Sequence, residues 1–227
     1  MLPTMPSARV VSVNLGLPRD VVWKGKTVTT GIFKEPVSGP VMVRRLNLDG
    51  DRQADLTVHG GPDKAVYAYP AEHYASWQAE LGHELPWGMF GENLTVEGLP
   101  LEDELAIGDR IGIGAAELVV CQPRLPCFKL GIRFDDATMV KRFLQARRSG
   151  YYLRVAVEGE ITAGDTVTLL EPHPERVPVS EVTRLFLDGH DDIDALRRLL
   201  RVDALPENWR PYFEEQLDNA SPATPAQ

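Results

Sequence analysis

From Arg9 to about Leu170 the chain is cut into short β-type runs, each closed by Gly, Pro, Asn or Asp, and this punctuation limits what it can become. Val10–Leu15 alternates. Val21–Trp23 and Val28–Phe33 flank a Lys24-Gly25 turn, and Val41–Leu46 runs into Leu48-Asp49-Gly50-Asp51. Ala65–Tyr69, Asn93–Val96, Leu105–Ile113, Glu117–Cys121, Leu153–Val157 and Thr166–Leu170 supply further strands, and Gly108-Asp109 and Gly164-Asp165 each open an alternating run. With 19 Gly and 18 Pro in 227 residues, long helices have little room here. About eight to ten short strands fit a mainly β fold, a closed or nearly closed barrel with a few helices, because closure removes exposed strand edges.

Two helices interrupt the strands. Pro70–Leu81 places Tyr74, Trp77 and Leu81 on one face and stops at Gly82; a second runs from Asp135 or Asp136 to about Arg148, with Met139, Val140, Phe143 and Leu144 inward. Composition then shifts at Glu171–Pro178, a stiff run with little to bury. Ser180–Leu187, Ile193–Val202 and Pro206–Leu217 follow with helical spacing. The expected organisation is therefore N-terminal barrel strands at 1–32, a core at 33–170, a linker at 171–178, a three-helix unit at 179–220 and a disordered tail at 221–227.

Charge excludes some functions. Lys and Arg number 24 against 33 Asp and Glu, a net −9, so the surface as a whole cannot bind phosphate backbones by counterion release. The three-helix unit has the wrong sign for reading DNA, so no nucleic-acid partner is expected. No run reaches the 18 or so apolar residues of a membrane span, and Met1–Arg9 lacks the apolar core of a secretion signal, which leaves a cytoplasmic protein with no membrane partner as the expectation. Any anion site must be a local basic pocket.

Three stretches carry unusual chemistry. Val58-His59-Gly60-Gly61-Pro62-Asp63-Lys64 is a glycine-rich loop whose backbone N–H groups can approach an anion, although a plain β-turn explains the glycines equally well. His59 suits a ligand or acid–base role, but no partner stands at zinc-site spacing. In Cys121-Gln122-Pro123-Arg124-Leu125-Pro126-Cys127-Phe128-Lys129-Leu130, two prolines restrict the chain around Cys127, and Arg124 and Lys129 lie close by. Neighbouring cations favour a thiolate, the form that binds soft metals; spacing alone also allows an inert thiol. Cys121 ends a strand and reads as a small buried apolar side chain. In Trp87–Val96, Asn93 offers a donor and an acceptor to a heterocycle, and Arg154 follows Tyr151-Tyr152 where it could meet a phosphate.

These segments together resemble the MOSC family, named for the C-terminal domain of molybdenum cofactor sulfurases, and specifically its YiiM-like branch. The resemblance rests on Lys34-Glu35-Pro36-Val37-Ser38-Gly39-Pro40, Leu48–Asp55, His59–Val66, Tyr69–Tyr74, Phe90–Leu94, Gly108-Asp109, Gln122–Leu130 and Gly164-Asp165, in order over about Phe33–Leu170, with the trailing helices resembling that branch's three-helix extension. It implies a MOSC-type β-barrel that binds the molybdenum cofactor, a pterin dithiolene bearing the metal and a phosphate. It further implies reduction of N-hydroxylated compounds such as N-hydroxylated purines or amidoximes, in detoxification. Cys127 is then the metal ligand. The cofactor would be held by Lys34, Arg52, Arg124, Lys129 and Arg154 with Gly60 and Gly61 backbone, and His59 and Asn93 would line the site and assist catalysis. Electrons would come from a separate donor protein, and a homodimer is an analogy-based expectation. The alternative is a carrier of the cofactor, or of sulfur as a Cys127 persulfide, without turnover.

Overall fold

The structure, a computed structural model, describes residues 8–55, 60–189 and 192–220. His59 and the expected tail at 221–227 lie outside the described residues. Strand β1 (Arg9–Leu15) precedes a hairpin of β2 (Arg19–Trp23) and β3 (Lys26–Thr30), then β4 (Glu35–Val37), β5 (Val41–Arg44) and β6 (Asn47–Leu48). A 3-10 turn at Pro62–Lys64 leads to β7 (Val66–Pro70), helix α1 (Glu72–Leu81), β8 (Leu94–Glu97), β9 (Arg110–Ile113) and β10 (Ala116–Pro123). Helices α2 (Phe128–Phe134) and α3 (Met139–Ala146) separate β10 from β11 (Tyr151–Val157), β12 (Gly159–Ile161) and β13 (Val167–Glu171). Helices α4 (Val179–Leu187), α5 (Ile193–Arg201) and α6 (Arg210–Ala220) are the last elements among the described residues.

Eight strands form one sheet in the order β13-β9-β10-β11-β7-β8-β1-β4, beside a three-stranded sheet β12-β5-β6 and the β2-β3 hairpin. Only β7 and β8 pair in parallel within the large sheet, with Ala68 opposite Leu94, and the crossover such a pair needs is supplied by α1. The expected closed barrel is not formed. Closure would require β13 to run along the open edge of β1, but β4 already occupies that edge from Val13 to Leu15. The end of the sheet reaches only the start of β1, through a bridge between Arg9 and Thr166 and the bond from Val10 N to Asp165 O at 2.9 Å.

One apolar core joins the large sheet to the three helices: Val13, Leu94, Ile111, Leu118 and Leu153 belong to the same cluster as Val182, Leu196 and Phe213. Within the stretch expected as a linker, Val177 belongs to that core while Glu171, Pro172, Pro174 and Arg176 are exposed. Val177 is fully buried and accepts from Ile107 N at 2.9 Å, while Val179 N donates to Leu105 O at 2.9 Å. A second, aromatic cluster of Tyr69, Tyr74, Trp77, Phe90 and Phe143 sits beneath α1 and α3, with Trp77 Nε1 donating to Tyr69 Oη at 2.8 Å.

Helix boundaries differ from expectation where backbone pairing overrides side-chain pattern. Pro70 ends β7 opposite Val96, so α1 starts at Glu72. The helix expected from Asp135 or Asp136 to about Arg148 is present but shorter: Asp135 takes φ 51° and terminates α2, and α3 begins at Met139 after Asp136 Oδ1 accepts from Thr138 N at 2.8 Å. Helix α2, which the sequence patterns did not mark, starts directly after Cys127.

Candidate functional site

A cleft opens where the hairpin, the loop after β6, the Pro62–Lys64 turn and the β10–α2 junction converge; it measures about 670 Å³ with its open mouth included. Two glycines permit this convergence. A Cβ on Gly31 would stand 2.5 Å from the Arg52 carbonyl oxygen, and one on Gly88, which has φ 81°, would stand 2.7 Å from the Lys34 carbonyl oxygen. Side chains at both positions would push apart the segments that carry Arg52 and Lys34.

At the floor Lys34 lines the cleft and is ion-paired to Asp51 beneath it. Lys34 Nζ lies 2.5 Å from each oxygen of Asp51. Asp51 also accepts from Gly16 N at 2.8 Å and from Asn93 Nδ2 at 3.0 Å. Burial lowers the Lys34 pKa, and the Asp51 charge and hydrogen bond oppose that fall. Asn93 Oδ1 accepts from Tyr67 N at 3.1 Å, so both ends of the Asn93 amide are engaged by the protein. Behind this floor Glu92 is fully buried, taking hydrogen bonds from Gly88 N at 2.8 Å, Phe90 N at 3.1 Å, Thr95 Oγ1 at 2.9 Å and the Tyr74 hydroxyl.

The walls carry Arg52, Lys64, Arg124 and Lys129, and no acidic side chain lines the cleft among the described residues. Arg124 leaves the end of β10 and is only 6% exposed. Its guanidinium carbon sits 5.3 Å from the Tyr67 ring centre and 5.0 Å from that of Phe143, and its buried Nη1 has no hydrogen-bond partner among the described residues. A buried N–H without an acceptor is costly, so this atom points to an anion that completes the site. Cys127 lines the same cleft, half-buried at the position that caps α2. Cys121 is fully buried in β10, its Sγ donating to Val119 O at 3.3 Å, and burial pushes its thiol pKa up to about 12.

Of the residues expected at the site, the structure brings Lys34, Arg52, Asn93, Arg124, Cys127 and Lys129 together. Gly60 and Gly61 do not line the cleft: Gly61 takes φ 98° to open the turn that ends in Lys64, which does. Arg154 is drawn away, its Nε donating to Asp63 Oδ1 at 2.6 Å. Sequence reasoning missed Lys64, Tyr67 and Tyr152. The two tyrosines are register partners on β7 and β11, their ring centres 5.1 Å apart, a pairing that no local motif announces.

The model of the MOSC domain matches residues 55–168. The chain belongs to the MOSC domain family. A second model, the YiiM-like 3-alpha helix domain, matches residues 177–220 and covers α4 to α6. YflK of Bacillus subtilis is 41% identical over 94% of this chain and 96% of its own length. The crystal structure of YiiM from Geobacillus stearothermophilus superposes with a TM-score of 0.78 at 32% identity, covering 92% of this chain and 99% of that one. A protein of Gibberella moniliformis named reductase is 37% identical over 66% of this chain but only 28% of its own length.

MOSC domains are associated with the molybdenum cofactor, and the cleft's chemistry fits that group. The cofactor is anionic, and the cleft is cationic with an unsatisfied arginine N–H. Among the described residues no three His, Cys, Asp or Glu side chains cluster to hold a metal by themselves. A metal at Cys127 would therefore have to bring ligands of its own, which a dithiolene-bound ion does.

Proposed function

We propose that this protein is a molybdenum-cofactor-dependent reductase of N-hydroxylated small molecules. The observation that carries the reading is the juxtaposition, in one cleft, of the Cys127 thiol and the buried Arg124 Nη1, which has no partner among the described residues, with a charged lining that is entirely basic among those residues. MOSC membership and the similarity to a reductase-named relative support it. When bound, the cofactor supplies a redox metal centre through which two electrons reach the N–O bond.

The residues of the chain divide the remaining work. Cys127 would supply a thiolate to the metal. Arg124, Arg52, Lys64 and Lys129 would hold the cofactor's phosphate and dithiolene charge, Arg124 with a guanidinium suited to bidentate pairing. Lys34, whose charge Asp51 compensates, adds little net attraction for an anion and serves the floor with Asp51 and Asn93. Tyr152, half-exposed against Tyr67, presents a ring to a planar substrate. The overall change is R–NHOH + 2e⁻ + 2H⁺ → R–NH₂ + H₂O, with both electrons drawn from a separate donor.

The test is direct. Protein made in a host that synthesises the cofactor should carry molybdenum by elemental analysis and, given reduced viologen, convert an N-hydroxylated purine to its amine. Molybdenum without conversion would make the protein a carrier. No molybdenum under those conditions would refute the proposal.

A further inference from the structure

Two guanidiniums share one aromatic ring at the rim of this cleft. The Arg19 guanidinium carbon lies 3.7 Å from the centre of the Phe33 ring, and that of Arg133 lies 5.2 Å from the same centre. Arg19 belongs to β2 and Arg133 to the last turn of α2, so the contact joins the base of the hairpin to the helix that follows Cys127. Neither arginine has an ion-pair partner among the described residues, and Arg133 Nε is a buried N–H with no acceptor. Burial is the first cause that depresses the Arg133 pKa, the carboxylate of Glu92 opposes it, and the charge of Arg19 adds to the depression.

Like charges placed this close repel, and a chain of net charge −9 has carboxylates enough to separate or neutralise them. Those nearby are occupied or set back: Asp20 accepts from Thr29 Oγ1 at 2.5 Å, Glu92 is buried behind the cleft floor, and Glu35 is exposed on β4. Arg19 is exposed, and Arg133 is partly buried behind it. The same two segments carry exposed large apolar side chains, Leu17 at 61% exposure two residues before Arg19 and Phe128 at 54% at the start of the helix that carries Arg133. Lys129, one turn before Arg133 on α2, carries the positive rim into the cleft.

We infer that Arg19, Arg133 and Lys129, with Leu17 and Phe128, form the docking surface for a small acidic electron-transfer protein. The inference rests on the reductase reading, which requires electrons from outside the chain. The mixture of cations and isolated apolar side chains suits a protein partner better than a free anion, since redox encounters use small interfaces steered by complementary charge. The surface is continuous with the cleft wall through Ile32 and Lys34 on either side of Phe33, so a docked carrier sits beside Cys127.

The experiment uses a flavodoxin, a small acidic flavin carrier, as the probe and the full chain from a cofactor-synthesising host. Association measured by calorimetry should weaken at least tenfold between low and high salt, and a further tenfold or more in Arg19→Glu and Arg133→Glu. Arg19 is exposed on the hairpin, so its reversal leaves the fold intact even where Arg133→Glu does not. Turnover with reduced viologen, a small cation that needs no docking surface, should be unchanged by Arg19→Glu. Flavodoxin that does not bind, or that binds equally well after Arg19→Glu and at high salt, overturns the surface. Absence of viologen turnover in the native protein overturns the reductase reading instead, whatever the binding result.

Discussion

Lys34 Nζ stands 2.5 Å from both oxygens of Asp51, with side chains 9% and 0% exposed, so a buried ion pair underlies the cleft. Removing one charge from such a pair leaves the other stranded, which costs about 3–5 kcal/mol. Asp51→Asn should therefore destabilise the protein by that amount at pH 7 in denaturant titrations. Lys34→Met should cost less, because Asp51 keeps its bonds from Gly16 and Asn93. Burial lowers the Lys34 pKa, so stability gains as pH rises between the folded and unfolded lysine values. The deficit of Asp51→Asn should accordingly shrink at pH 10; an equal deficit at both pH values would contradict the stranded-charge account.

Arg124 separates binding from folding. Its buried Nη1 lacks a partner and contributes an unmet hydrogen-bond cost of about 1–3 kcal/mol in the empty protein, while its stacking against Tyr67 and Phe143 recovers roughly 1–2 kcal/mol. Arg124→Met should leave the melting temperature within a few degrees of the parent and reduce molybdenum per chain at least tenfold. A large drop in melting temperature would show that the arginine is structural.

How far the sequence disclosed this arrangement depends on the range of the interactions. The Lys24-Gly25 turn was legible because a two-residue hairpin needs positive φ, which Lys24 and Gly25 adopt at 49° and 75°. The three C-terminal helices were legible from their apolar spacing. The open sheet was not, because strand count says nothing about which edge of β1 is taken, and β4 takes the edge that a barrel needs. At the site, residue type and neighbourhood singled out Arg124 and Cys127, which line one cleft. They misplaced Arg154, whose partner Asp63 is 91 positions away in the chain, and they missed Tyr67 and Tyr152, which meet only through the pairing of β7 with β11.

Glu92 should show an opposite pH signature. Burial raises its pKa despite bonds from Tyr74, Gly88, Phe90 and Thr95, so the folded state holds a proton that the unfolded state releases from about pH 4.3 upward. The stability this adds is complete below that value and is lost as pH rises through the folded pKa. Glu92→Gln should abolish this slope. It should also cost roughly 1–3 kcal/mol at pH 7, since an amide NH₂ would face donors where the carboxylate accepts. A variant at least as stable as the parent at pH 7 would mean the buried charge outweighs its hydrogen bonds.

The two cysteines should part company in a single alkylation experiment. Cys121 is fully buried with a thiol pKa pushed up to about 12, whereas Cys127 opens to the cleft. The thiolate is the reacting species, so iodoacetamide at pH 8 should label Cys127 in the native protein and reach Cys121 only in denaturant. Cys127→Ala should abolish retained molybdenum with little change in melting temperature. Cys121→Ala should retain the metal and cost on the order of 1 kcal/mol for the small cavity it leaves in β10. Because the folded state keeps the Cys121 proton that an unfolded chain begins to release near pH 8.5, this thiol's contribution to stability declines from there toward pH 12, and Cys121→Ala should flatten that decline. Native labelling at Cys121 ahead of Cys127, or metal lost from Cys121→Ala and kept by Cys127→Ala, would reverse the assignment on which the reductase reading depends.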